Sequence, residues 1–138
     1  ETQIDSKTSI KNISLKKLNL VSKKFLGISL QTPPIFSAIK VDGKKLYNYA
    51  RKGETVKIKK RKINIFKFNL GKVNLPLLDF EIECSKGTYI RSIANDFGKE
   101  LKVGAYLHKL IRTSIGKFNL VDALEIKDFE MKIKEISR

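Results

Sequence analysis

The sequence predicts an α+β domain in which helices flank a mostly antiparallel mixed sheet. Two stretches, one after Ser14 and one after Tyr89, place apolar residues three and four positions apart, the period of an amphipathic helix. Residues 55–70 and 80–84 instead alternate apolar and polar side chains, the period of a half-buried strand. A chain of 138 residues with no repeat or linker is most simply one domain, residues 1–138.

The first third of the chain predicts one helix followed by a turn-rich segment. Ser14 is a good N-cap, and the helix after it is expected to end at Gly27. Its apolar positions are Leu15, Leu18, Val21, Phe25 and Leu26. The Pro33–Pro34 pair imposes an extended segment. Asp42–Gly43 is a turn signal, and residues 45–51 are expected to form a short helical turn.

The middle of the chain predicts most of the sheet. Residues 55–70 are expected to form two strands around the basic break at residues 59–62. Residues 71–76 predict a hairpin-like connection into a strand that ends at Cys84.

The last third predicts helix, strand and helix. A helix is expected to begin near Thr88 or Tyr89 and to end near Leu101, and residues 105–118 alternate as a strand. Asp122 is expected to cap a final helix. The apolar positions of that helix are Leu124, Ile126, Phe129, Ile133 and Ile136.

Charge favours a polyanionic partner. Lysine and arginine number 29 against 14 acidic residues, a net charge of +15. Such an excess is typical of proteins that bind nucleic acid or an anionic membrane, although lysine on solvated faces explains it about equally well. No apolar run approaches the roughly 20 residues of a spanning helix, so we expect no membrane partner. With one cysteine and one histidine in the chain, we also expect no metal.

Arg91 stands at an unusual place. It falls in the first turn of the helix predicted after Tyr89, where the macrodipole is already positive. Neither residue three nor four positions later, Ala94 or Asn95, is acidic. Arg91 therefore calls for a negative group from elsewhere. The turn containing Lys86, directly before this helix, is a further candidate anion site.

A second basic cluster interleaves cations with aromatic rings, as a surface that stacks bases and binds phosphates does. It consists of Lys40, Lys44, Lys45, Tyr47, Tyr49 and Arg51. Whether Tyr47, Tyr49 or neither touches nucleic acid stays open at this point. Arg112, beside Thr113 on a late strand, is another candidate contact. Together with the net charge, these features make nucleic-acid binding the leading class of function.

Three blocks closely resemble the bacterial TruB family of tRNA pseudouridine synthases, in the family's order and spacing. They read QTPPIFSAIKVDGKKLYNYARKGETV, CSKGTYIRSIANDFGKEL and VGAYLHKLIRTSIGKF. The resemblance implies a cytoplasmic isomerase that converts the T-loop uridine of tRNA, uridine-55, to pseudouridine. It implies no organic cofactor and no metal, the tRNA T-arm as partner, and a monomer when full length.

The resemblance also assigns residues. Arg91 matches the arginine that pairs with the family's catalytic aspartate, and Tyr89 and Leu110 match positions that line its base pocket. Lys40 matches the lysine of the family's Ser–Ala–x–Lys stretch, as a structural or RNA contact. Lys44, Lys45, Tyr47, Arg51, Lys86 and Arg112 are the other expected RNA contacts.

One departure from the family is large. The family's catalytic aspartate lies in a Gly–x–Leu/Ala–Asp–Pro motif that this chain lacks. We therefore expect a partial catalytic domain, without the segment that carries the aspartate and without the C-terminal PUA domain, and inactive alone. The rival hypothesis is a non-catalytic RNA-binding or RNA-chaperone domain. A weaker one is a basic ribosome-associated domain.

Overall fold

The computed structural model describes residues 7–136, which fall into two compact units that meet in the sequence at Leu107 and His108. The first unit contains α1 (Leu15–Lys23), β1 (Gly27–Gln31), β2 (Lys40–Val41), β3 (Lys44–Lys45), α2 (Leu46–Arg51), β4 (Arg61–Asn74), β5 (Leu77–Cys84) and α3 (Ile90–Leu101). The second contains β6 (Ser114–Ile115), β7 (Phe118–Asn119), a 3₁₀ turn (Leu120–Asp122) and α4 (Ile126–Ile136).

All strand pairs in the described residues are antiparallel. β4 lies between β1 and β5 in a three-stranded sheet, and β2–β3 and β6–β7 form two small hairpins. Helices accompany the sheet. The predicted α+β class with antiparallel strands is therefore confirmed.

The core of the first unit lies between the sheet and helices α1 and α3. Each helix turns one apolar stripe toward β4, as its sequence period requires. The buried cluster consists of Leu18, Val21, Ile63, Ile65, Phe68, Ile93, Phe97 and Leu101. Phe68 contacts the rings of Phe25, Phe80 and Phe97 at centroid distances of 5.6–5.8 Å. Burying one such aliphatic or aromatic side chain contributes roughly 1.5–3 kcal/mol, so this cluster holds α1 and α3 against the sheet.

The two helix starts were predicted correctly. The Ser14 hydroxyl accepts a hydrogen bond from the backbone N–H of Lys17 at 3.2 Å, as an N-cap does. α3 begins at Ile90, directly after Tyr89. The first helix ends four residues earlier than expected, at Lys23, because Gly27 adopts a φ of +88° and starts β1.

The outer face of the sheet is mixed. Lys67 on β4 makes a 2.8 Å ion pair with Glu81 on β5. The hydrogen bond from Lys67 to this carboxylate raises the pKa of the lysine above its ordinary value. Ile28 and Leu30 of β1 and Phe66 of β4 are exposed.

Three predicted elements were wrong. Residues 55–60 form no strand, and β4 instead runs unbroken from Arg61 through Gly71 to Asn74. Residues 105–113 are irregular, and only the short β6–β7 hairpin follows them. Asp122 closes a 3₁₀ turn and does not cap α4, which starts at Ile126. An alternating segment becomes a strand only when another strand pairs with it, and neither irregular segment has such a partner among residues 7–136.

Candidate functional site

The start of α3 is held by a buried glutamine. Tyr89 is its N-cap residue, yet its own side chain makes no capping bond. Gln31, at the end of β1 and only 4% exposed, instead binds both backbone groups of Tyr89. The Tyr89 N–H donates to Gln31 Oε1 at 2.8 Å, and Gln31 Nε2 donates to the Tyr89 carbonyl at 3.1 Å. Next to this pair, the Ser92 hydroxyl donates to the Thr32 carbonyl at 3.1 Å.

Arg91 lies in the first turn of α3 and is exposed. Its Nη2 donates to the backbone carbonyl of Phe36 at 2.9 Å. Within residues 7–136 Arg91 makes no ion pair; the three pairs found there join Lys24 to Glu100, Lys67 to Glu81 and Lys99 to Asp96. A guanidinium has five N–H donors in a fixed fork. The contact with Phe36 therefore leaves donors that can bind a carboxylate or a phosphate.

The turn between β5 and α3 carries Lys86, which precedes Arg91 by five residues. The Thr88 hydroxyl donates to the Ser85 carbonyl at 2.8 Å, and the Ser85 hydroxyl accepts from the Asn64 N–H at 2.9 Å. These bonds fix the turn on β4, and Lys86 at its tip is exposed.

The predicted basic cluster forms one compact piece, the β2–β3 hairpin with α2, which we call the basic hairpin (residues 40–51). Asp42 and Gly43 make its two-residue turn with φ of 48° and 77°, as the Asp–Gly signal predicts. Lys40 and Lys45 are opposite each other in the register. Like charges directly opposite destabilise a hairpin, so this arrangement favours a bound anion.

Tyr47 lies between two cations of the basic hairpin. Lys45 Nζ is 5.4 Å and Arg51 Cζ is 5.2 Å from the centre of its ring, distances typical of cation–π contacts. The hydroxyl of Tyr49 instead donates to the carbonyl of Val41 at 3.1 Å and holds α2 against β2. Both rings are half-buried. Tyr49 therefore has an internal structural role, whereas the contacts of the Tyr47 ring are with the cations Lys45 and Arg51.

Hydrogen bonds to two successive backbone carbonyls connect Arg91 to the basic hairpin. Arg91 binds the carbonyl of Phe36, and the next carbonyl, that of Ser37, accepts from the N–H of Tyr47 at 3.1 Å. The Ser37 hydroxyl is buried and has no hydrogen-bond partner among the described residues. Two of the sequence-predicted residues, Arg91 and Tyr47, thus meet at one short segment, residues 36–37.

Leu110 and Arg112 lie in the second unit. Both are exposed, and both belong to the irregular stretch before β6. The assignment of Leu110 to the base pocket and of Arg112 to an RNA contact remains a prediction.

Among residues 7–136 no group of three histidine, cysteine or acidic side chains could hold a metal ion. In the same part of the chain, no helix combines the length and apolar character that a membrane crossing requires.

Sequence reasoning did not identify the groups that hold Arg91. Gln31 and the Phe36 carbonyl both lie in the block QTPPIFSAIK, but a backbone carbonyl leaves no mark in a sequence. The only available signal was the position of Gln31, a polar residue directly before an extended Thr–Pro–Pro segment.

Comparison with known proteins gives a consistent result. The model of the TruB family pseudouridylate synthase (N-terminal domain) matches residues 1–90. Proteins named tRNA pseudouridine synthase B from Flavobacterium johnsoniae and Clostridium kluyveri are 45% and 42% identical to this chain over 97% and 95% of its length. The chain spans 58% and 47% of these two proteins, about half the length of the curated relatives it matches.

A solved structure also resembles the fold. One chain in the crystal structure of a Cbf5–Nop10–Gar1 complex superposes with a TM-score of 0.66 and 25% sequence identity. The similarity covers 92% of this chain and 35% of that one. Together with the family match over most of the chain, these findings show that the protein belongs to the TruB family of pseudouridylate synthases.

Proposed function

We propose that this chain is part of the catalytic domain of a tRNA pseudouridine synthase that isomerises the T-loop uridine, uridine-55, of tRNA. The reaction breaks the bond between N1 of uracil and C1′ of ribose, turns the base over and joins C5 to C1′. C5 loses its hydrogen and N1 gains a proton, so the product is an isomer of the substrate. Family membership and the names of the relatives support this proposal. In this proposal the reaction requires no cofactor and takes place in the cytoplasm.

The observation that carries the proposal is the state of Arg91. Its guanidinium is fixed by one bond to Phe36 and keeps further donors for a negative group. We assign that group to the catalytic aspartate of a segment outside this chain. An arginine–carboxylate pair is charge-assisted and holds a carboxylate in one orientation, which an aspartate that acts on a ribose or a base requires.

The other residues receive proposed roles from their match to the family and from the charges of the basic hairpin. Tyr89, at the start of α3, is a proposed wall of the uracil pocket. Leu110 is proposed as a pocket residue on its match to the family alone. The basic hairpin and Lys86 are proposed to bind phosphates of the T-arm, and Arg112 is a further proposed contact. Lys40 opposite Lys45 supports this role, because a phosphate would relieve the repulsion between the two ammonium groups.

The test is tritium release from tRNA whose uridines carry tritium at C5, because the C5 hydrogen must leave when C5 bonds to C1′. We expect the intact gene product to release it. Arg91→Lys should lower kcat by about 100-fold or more, since a single ammonium cannot bind Phe36 and a carboxylate in the same fork geometry. Arg61→Lys is the matched control, because Arg61 is exposed on β4 outside the proposed site.

Each alternative gives a different result. RNA binding by the intact gene product without any tritium release would contradict the synthase and support the hypothesis of a non-catalytic RNA-binding domain. If tritium release is unchanged in Arg91→Lys, the proposed synthase activity stands and the role assigned to Arg91 is wrong.

A further inference from the structure

The feature that the proposed mechanism does not use is the buried side chain of Gln31. A buried amide needs hydrogen-bond partners, since leaving one of its groups unpaired costs about 1–3 kcal/mol. Gln31 obtains both partners from a single residue, as donor to the carbonyl and acceptor from the N–H of Tyr89. This two-bond pattern has the form of a strand pair, but it joins a side chain to a backbone.

The clamped residue sits where position matters. Tyr89 is the N-cap of α3, and its carbonyl also accepts the first intrahelical bond, from the N–H of Ile93 at 3.2 Å. Gln31 thus fixes the position of the first turn of α3 relative to the end of β1. Arg91 is two residues further on, and its partner Phe36 follows Gln31 by five positions.

Both ends of the contact between Arg91 and Phe36 therefore depend on Gln31. One end is the helix that starts at Tyr89, and the other is the segment that leaves β1 at Gln31. The bond between Ser92 and the carbonyl of Thr32 lies between these two ends and keeps them in register.

We infer that Gln31 is a positioning residue of the proposed synthase, which sets the placement of Tyr89 and Arg91 through the backbone of Tyr89. The inference rests on the proposed function, because Arg91 must take part in the chemistry for its placement to affect rate. Gln31 itself touches no substrate in this role.

The experiment compares variants of the intact gene product by steady-state tritium release from tRNA tritiated at C5 of uridine. Gln31→Met keeps the length of the side chain and removes both bonds. Gln31→Glu keeps an acceptor for the N–H of Tyr89, but it replaces the donor with a carboxylate oxygen that repels the carbonyl of Tyr89. Ser22→Ala is the matched control, since Ser22 is also buried and its single bond, to the carbonyl of Asn19, lies within α1. Each variant is assayed well below its own melting temperature.

A displacement of about 1 Å at a catalytic group can lower a rate about 100-fold. We expect Gln31→Met to lower kcat by about 10- to 100-fold with KM within about twofold of wild type, and Gln31→Glu to fall between. Ser22→Ala should leave both constants unchanged.

The outcomes separate the inference from the function beneath it. If wild type releases tritium and Gln31→Met has a wild-type kcat, or loses no more than Ser22→Ala, the positioning role is wrong and the proposed function stands. If wild type itself releases none, the function is wrong. Should Gln31→Met fail to fold, Gln31→Glu decides, because a wild-type kcat in that variant also overturns the inference.

Discussion

At the scale of single residues, close backbone approach makes one glycine of α3 irreplaceable. A Cβ on Gly98 would lie 2.1 Å from the nitrogen of Ala105 and 2.2 Å from the carbonyl carbon of Gly104. The Gly98 carbonyl accepts hydrogen bonds from Val103 at 3.1 Å and from Gly104 at 3.0 Å. The chain therefore turns back directly against the helix, and only a residue without a side chain fits there.

Gly98→Ala should accordingly destabilise the protein. Overpacking costs about 1–3 kcal/mol, more than the roughly 0.5–1 kcal/mol that alanine gains over glycine within a helix. We expect a net loss of about 1–2 kcal/mol in the free energy of unfolding of the intact gene product, measured by urea denaturation. The control Asn95→Ala, on the exposed face of the same helix, should cost little. Equal stability of Gly98→Ala and wild type would contradict the close approach.

The same scale shows where sequence patterns mislead. In β1 the alternation of Ile28 and Leu30 with Ser29 and Gln31 would indicate that the two aliphatic residues face the core. In the structure Ile28 is 66% and Leu30 67% exposed, Ser29 is exposed too, and only Gln31 of the four is buried. Gln31 can be buried because Tyr89, fifty-eight residues away in sequence, satisfies its amide. No local pattern contains that information.

At the scale of elements, local signals predicted the local structures. The starts of α1 and α3, the Asp42–Gly43 turn and the short helix α2 all depend on caps, periodicity and turn residues within a few positions. Strands depend on partners that are distant in sequence. Residues 55–60 and 105–113 alternate as strands do, yet they remain irregular because no described strand pairs with them.

One substitution in the basic hairpin should change stability and RNA affinity in opposite directions. Lys40→Gln removes one of two like charges that lie opposite each other. We expect the free energy of unfolding to rise by roughly 0.2–1 kcal/mol. RNA affinity should fall, and the slope of log K against log salt should become shallower by about 0.7–0.9 if Lys40 contacts one phosphate.

The two effects are measured on the same protein, by urea denaturation and by fluorescence anisotropy with a T-arm stem-loop. Lys24→Gln is the control of equal charge change, since Lys24 pairs with Glu100 next to α1, away from the basic hairpin. If the slope of log K against log salt becomes shallower by the same amount in both variants, net charge alone, and not the basic hairpin, accounts for RNA binding.

At the scale of the whole molecule, the resemblance identified the family from three blocks of sequence, but residues alone indicated only a basic α+β domain. The reason is physical. The proposed chemistry needs a carboxylate near Arg91, and no described residue supplies one as an ion pair. What remains is the positive half of an interaction, which by itself is equally suited to phosphate binding.

This division predicts how the isolated chain, residues 1–138, will behave. It should bind a T-arm stem-loop and release no tritium, because the cations are present and the catalytic carboxylate is proposed to belong to a segment outside the chain. If Lys40, Lys44, Lys45 and Arg51 each neutralise one phosphate, the slope of log K against log salt should lie between about −2.8 and about −3.6. Anisotropy at several salt concentrations measures that slope, and circular dichroism verifies that the chain is folded. Binding that is insensitive to salt would argue against phosphate contacts by the basic hairpin. Tritium release by the isolated chain would show instead that one of its own carboxylates performs the chemistry, and the assignment of that role to another segment would then be wrong.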